Sequence, residues 1–192
     1  MIVKNPKKIF ASMLALMCLS GCKSIPSYSS DYSSARNNIT GMTLTETQAL
    51  EIGTHFISTF NTLGTPEFIN KAGSLYAEHL FINDTLSQFS SRQNLLEHFK
   101  GMNKRVSNVK VKLLNTTHQQ DSAYIHWYMA YEFKIFGVQR KMSSYGISEI
   151  KVNKDNQIIF QQDFWDPANG LYRQLPYVGG AYSWLLAFKK SS

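Results

Sequence analysis

The chain has 192 residues, with 20 Lys and Arg against 13 Asp and Glu and a formal net charge of +7. That length is sufficient for one domain with its own core. The mild basic excess comes with no nucleic-acid-binding motif, so specific DNA or RNA recognition is excluded. Its only cysteines are Cys18 and Cys22, too few for a disulfide framework or a thiolate metal site.

The first residues have the parts of an export signal. Lys4, Lys7 and Lys8 form a positive region, Ile9 to Cys18 an apolar stretch, and Leu19-Ser20-Gly21-Cys22 a small-residue cleavage site. The apolar run is shorter than the roughly 20 residues a spanning helix needs. Leu19 to Cys22 resembles the bacterial lipobox. The resemblance implies that residues 1–21 are a lipoprotein signal peptide, that the Cys22 thiol takes a diacylglycerol, and that the new amino group is acylated. Two or more chains anchor a protein stably where one does so marginally. Lys23 follows the cysteine, where an aspartate commonly means inner-membrane retention. An outer-membrane, periplasm-facing location is therefore expected. Cleavage leaves 17 basic residues against 13 acidic ones, about +4, and Cys22 as the sole cysteine.

Residues 22–42 are then the lipidated cysteine and a flexible tether, rich in Ser, Tyr and Asn. The domain proper is expected over residues 43–192. Thr43-x-x-Glu46 fits a capping box, and Leu50, Phe56, Ile57, Phe60 and Leu63 recur at helical spacing up to Gly64. Thr65-Pro66 predicts a second helix, with proline at its first position, running to about Tyr76. His79 to Asp84 reads as a short strand followed by a polar loop, and Ser91 to about Met102 as a third helix. Leu95, Leu96 and Phe99 mark that helix's apolar face.

Four long strands follow, over Val106–Thr117, Ser122–Ile135, Val138–Val152 and Ile158–Trp165, with turn chemistry at Gly137 and Asn153 to Asn156. Ile125, Trp127, Met129, Tyr131, Phe133 and Ile135 alternate along one of them and give the sheet an apolar face. Lys100, Lys104, Arg105, Lys110 and Lys112 read as the solvated side of a helix and strand. The tail from Leu171 to Lys190 predicts a helix broken at Pro176 and Gly179-Gly180. Tyr177, Tyr182, Trp184, Leu185 and Phe188 in that tail are expected to cover the open end of the core. Helices first and a meander of antiparallel strands after them indicate α+β. Strands curling around helices leave a pocket between the layers. Phe56, Phe60, Trp127, Met129, Tyr131 and Trp165 are its expected lining.

Three stretches carry a further resemblance: Leu75-Tyr76-Ala77-Glu78-His79-Leu80-Phe81-Ile82-Asn83-Asp84, Gln161-Gln162-Asp163-Phe164-Trp165-Asp166, and Leu171-Tyr172-Arg173-Gln174-Leu175-Pro176-Tyr177-Val178-Gly179. Together they are similar to the nuclear transport factor 2-like superfamily, also called SnoaL-like or ketosteroid-isomerase-like. The resemblance implies a cone-shaped, curved antiparallel sheet wrapped around N-terminal helices. It places Asp84 where ketosteroid isomerase carries its general base. Thr85 replaces the usual proline after it, and Gln161 replaces a histidine. Phe56 and Phe60 stand where a hydrogen-bond donor is needed, so steroid-type isomerisation is disfavoured.

Asp84 and Asp163 are the candidate catalytic groups. Asp84 equally suits a cap on the following loop. On an extended strand Asp163 shares a face with Gln161 and Trp165, whereas Asp166 points away and sets the turn into the tail. His126, beside Tyr124 and Tyr128, reads as a solvent or subunit-contact residue. The histidines lack metal-ligand spacing, and Gly179-Gly180 is no phosphate loop, so neither metal nor cofactor is expected. The leading expectation is a lipid-anchored module that binds a small apolar ligand or a partner protein without catalysis. The alternatives are an enzyme using Asp84 or Asp163 as base, and a structural component that dimerises through the sheet.

Overall fold

The computed structural model describes residues 28–135, 137–175 and 179–180. Cys22 and the apolar run before it lie outside the described residues. The chain divides into two compact units, one ending at Asn37 and one beginning at Asn38. The first contains helix α1 (Tyr28–Asn38), inside the stretch expected to be an irregular tether. No apolar stripe announces it. The only helical signals are Asp31 in its first turn and Arg36 in its last, which complement the helix dipole. Among the described residues no helix is long and apolar enough to cross a membrane.

The second unit begins with an extended segment. Met42 N donates to Val152 O at 2.9 Å and Leu44 N to Gln120 O at 2.8 Å, which ties residues 42 and 44 to the strands before helix geometry begins. Helix α2 (Glu46–Phe60) is therefore capped by Thr45 and Gln48, not by Thr43 and Glu46. The buried stripe is Ala49, Ile52, Gly53, Phe56 and Ile57, and Leu50, one residue off that face, is 52 % exposed. Helix α3 (Phe68–Leu75) also starts later than Pro66 suggests. Asn103 explains the delay: its side chain accepts from Gly64 N at 2.6 Å and donates to Thr65 O at 2.9 Å, which holds that stretch as a turn.

Strand β1 (Tyr76–Asn83) is followed by β2 (Gln88–Ser91), a short edge strand in the expected loop, and by helix α4 (Arg92–Asn103), capped by Ser91. Then come β3 (Val106–Gln119), β4 (Ser122–Ile135), β5 (Val138–Val152) and β6 (Ile158–Trp165). Alternation and turn residues predicted the bounds of the last three. The sheet order is β2-β1-β6-β5-β4-β3, and the sheet is not closed. The expectation of a wholly antiparallel sheet is corrected at one ladder: β1 runs parallel to β6, with Ile82 opposite Gln161. The chain crosses to the far edge, returns strand by strand, and its last strand arrives beside its first in the same direction. Phe68, Tyr76, Leu95, Ile125, Ile150, Ile158 and Phe160 form part of the fully buried core. Helix α5 (Pro167–Gly170) and a 3-10 turn (Tyr172–Gln174) follow. Pro176, Tyr177, Tyr182, Trp184, Leu185 and Phe188, expected in the broken helix, lie outside the described residues.

One polar cluster fixes where the second unit begins. Asp121, in the β3–β4 turn, accepts from Gly41 N at 2.9 Å and pairs with Lys151 Nζ at 3.1 Å. Lys151 also donates to Ile39 O at 2.8 Å. Residues 39–42, expected as tether, are thus pinned to the sheet. Burial pushes the Asp121 carboxyl up, but the Gly41 amide and Lys151 together hold it below the usual carboxylate range.

Candidate functional site

Helices α2 and α4 and the inner sheet face enclose a cavity of about 520 Å³. Phe56, Phe60, Trp127, Met129, Tyr131 and Trp165 all line it, as do Asp84 and Asp163. Alternation along β6 brings Gln161, Asp163 and Trp165 to the same wall. Asp166 is exposed instead and accepts from Ala168 N at 2.9 Å, the turn-setting role expected of it.

The wall around Asp163 is a connected polar network. Ser148 stands directly opposite on β5 and donates to Asp163 Oδ1 at 2.6 Å, while accepting from Trp127 Nε1 at 2.9 Å. Gln161 Nε2 reaches both carboxyl oxygens, at 2.9 and 3.1 Å. The buried Tyr76 hydroxyl donates to Gln161 Oε1 at 2.7 Å and so turns the amide nitrogen toward Asp163. Gly146 makes room for the indole: a Cβ there would collide with the Trp127 ring.

This surrounding raises the Asp163 pKa from 3.8 to about 7. Burial is the main cause, the Asp84 charge adds to it, and hydrogen bonds from Ser148 and Gln161 only partly oppose it. Asp163 keeps some accessible surface on the cavity, and the protein atoms packed around it still desolvate its carboxyl. Burial, then the charges of Asp163 and Asp84, raises Tyr76 well above its ordinary value, so its hydroxyl remains a donor. Tyr131 is raised by burial as well.

Asp84 has a double role. Its Oδ1 accepts from Leu86 N at 2.9 Å and Ser87 N at 2.7 Å, the loop cap that its position suggested. Its Oδ2 lies 3.4 Å from His98 Nε2, at the cavity edge. The loop is locked to β6: Trp165 Nε1 donates to Asp84 O at 2.9 Å and Thr85 Oγ1 to Asp163 O at 2.6 Å. The two candidate aspartates therefore belong to one site.

Sequence reasoning missed His98, Ser148 and Tyr76 as members of this site. For His98 a signal existed: Leu95, His98, Phe99 and Met102 share one helical face, and all four line the cavity. Ser148 and Tyr76 depend on strand pairing and had none. His126 is exposed, as expected, and Tyr128 packs on Tyr145 with ring centroids 5.0 Å apart. Among the described residues no cluster of three acidic, histidine or cysteine side chains is arranged to hold a metal.

No protein-family model and no curated protein matches the sequence. Solved structures do resemble the fold. A proposed SnoaL-like polyketide cyclase from Shewanella denitrificans superposes with a TM-score of 0.55 at 7 % identity, over 63 % of this chain and 92 % of its own. An NTF2-like protein of unknown function from an Exiguobacterium species gives 0.52 at 11 % identity, over 60 % and 98 %. A Mycobacterium tuberculosis LEH-like epoxide hydrolase gives 0.50 at 14 %, over 65 % and 86 %. The chain has the α+β fold of SnoaL-like and NTF2-like proteins. At these identities the likeness concerns the fold alone.

Proposed function

We propose that the chain is an envelope lipoprotein whose domain binds a small, largely apolar molecule in this cavity, with one polar group of the ligand held at Asp163. The observation that carries this reading is the Ser148–Asp163–Gln161 network set into a mostly aromatic and aliphatic wall. A cavity of about 520 Å³ suits a small organic molecule. Asp84, the candidate base, spends one oxygen on two loop amides, a capping role that favours holding over turnover. Mass spectrometry of the purified full chain is expected to find a retained small molecule. Asp163→Leu should weaken its retention about tenfold or more, the size of a lost hydrogen bond to a charged group. An empty protein whose tryptophan fluorescence responds to no apolar probe would sink the reading. The anchor is tested separately: palmitate labelling at Cys22 and outer-membrane fractionation are expected, both lost in Cys22→Ser.

A second reading is favoured by one observation: a carboxyl with a pKa near 7 is suited to moving a proton at neutral pH. Turnover of a small hydrophobic substrate, with a pH–rate flank near 7 that disappears in Asp163→Asn, would replace binding with general acid/base catalysis. A dimerising role rests on Tyr145 and Ile147, which are 64 % and 42 % exposed on the outer sheet face. Sedimentation of the full chain tests it, and a monomer at micromolar concentration would end it.

A further inference from the structure

The charge and the ring chemistry of the cavity wall point the same way. Asp84, Glu97 and Asp163 line the cavity against a single guanidinium, Arg105. Arg105 and Glu97 are exposed, and Glu97 already meets Lys100 at 3.3 Å. The inner groups are the two aspartates. Among the described residues no lysine or arginine pairs with Asp163, whose carboxyl accepts from the neutral Ser148 and Gln161. Beside Asp163 stand Trp127 and Trp165, with Tyr131 and Phe133 farther along the same wall, and the face of an aromatic ring attracts a cation and offers nothing comparable to an anion. A neutral ligand with a hydrogen-bonding oxygen would use the protonated Asp163 but leave the ring faces and the Asp84 charge unexploited. A positively charged ligand uses all three.

We infer that the ligand of this cavity is an organic cation with an apolar body, such as a tertiary or quaternary amine, its charged head set against Asp163 and the aromatic wall. This rests on the binding reading above and narrows it to one chemical class. Bringing a cation beside a desolvated carboxyl favours its ionised form, so binding releases a proton from Asp163 and tightens as pH rises through about 7. The other titratable or charged groups facing this space are Asp84 from the β1–β2 loop, Glu97 and His98 from α4, Arg105 after it, and Tyr131 from β4, with Tyr76 of β1 buried behind Gln161. His98 lines the same cavity as Asp163. His98→Gln therefore separates its part from that of Asp163.

The test is a matched pair of probes, benzyltrimethylammonium and its uncharged twin neopentylbenzene, titrated into the purified full chain and read by tryptophan fluorescence. At about pH 8.5 the cation should bind at least about tenfold more tightly than the twin, from Coulombic and cation–π attraction together. At about pH 5.5 that preference should shrink several-fold. His98→Gln should keep this pH dependence, and Asp163→Asn should abolish the preference at the higher pH. Equal or tighter binding of neopentylbenzene at pH 8.5 overturns the cation assignment and leaves the binding reading standing. Binding of neither probe at either pH defeats both. A cation preference that survives unchanged in Asp163→Asn also overturns the assignment, because the charged seat would then lie elsewhere. The twin comparison on the unaltered protein needs no variant to fold.

Discussion

Two aspartates of this domain are desolvated in opposite ways. Asp121 faces Lys151 and the Gly41 amide, and its carboxyl is held below the ordinary range. Asp163 faces neutral donors and an apolar cavity, and its carboxyl is pushed up to about 7. The first charge is fully used inside the structure, fastening residues 39–42 to the sheet. The second is left without a counter-charge among the described residues. A buried acid whose partners are all internal is a fastening; one whose partners leave it unneutralised at a cavity wall is available to something that enters.

The sharpest way to break this contrast is to remove the internal partner. Lys151→Ala strands Asp121 and the Ile39 carbonyl, and should cost about 3–5 kcal/mol in urea unfolding, with the domain's ligand affinity little changed if it still folds. Asp163→Asn tests the other member through pH. A folded-state pKa raised from 3.8 to about 7 gives stability that is fully present below about pH 4 and lost as pH rises through 7. The variant should match the native chain near pH 4 and exceed it by roughly 2–4 kcal/mol above pH 7. Asp121 has the reverse sign: its contribution is present above the ordinary carboxylate range and disappears in acid. A flat difference between Asp163→Asn and the native chain across pH 4–8 would remove the distinction between the two residues.

Smaller effects sharpen it. Gly146→Ala drives a methyl into the Trp127 indole, which should cost about 1–3 kcal/mol and alter tryptophan emission, because the ring must leave Ser148. Thr45→Ala removes the α2 cap, which bonds neither aspartate, and should cost about 1 kcal/mol at every pH. A pH-dependent loss there would show that the two clusters are not independent of the rest of the domain.

The legible part of this fold was whatever local pattern controls. Strands β4, β5 and β6 declare their ends by alternation and turns, and the lining set Phe56, Phe60, Trp127, Met129, Tyr131 and Trp165 follows from which side of each element is apolar. Two overlapping Thr-x-x-Glu/Gln patterns made the start of α2 ambiguous, and only the distant bond from Leu44 N to Gln120 O decides it. Asp84 and Asp163 were found as residue types, but their meeting in one cavity was not. That meeting needs the parallel β1–β6 ladder, which links segments about 80 residues apart and leaves no trace in either one. The Ser148–Asp163 bond likewise follows from strand register, a property of two segments and not of one.

That same ladder sets the order of events in time. Strand β6 lies between β1 and β5 and carries Gln161, Asp163 and Trp165, so this wall of the cavity is absent until the last long strand has docked. Pairings between distant segments are slow to form because the intervening loop must be closed before any contact rewards it. A chain still emerging from the ribosome or a translocation channel can have its helices and its β3–β5 meander while the site does not yet exist. On the binding reading, ligand capture is confined to finished molecules, and truncation before residue 158 should leave a partly folded protein that binds nothing.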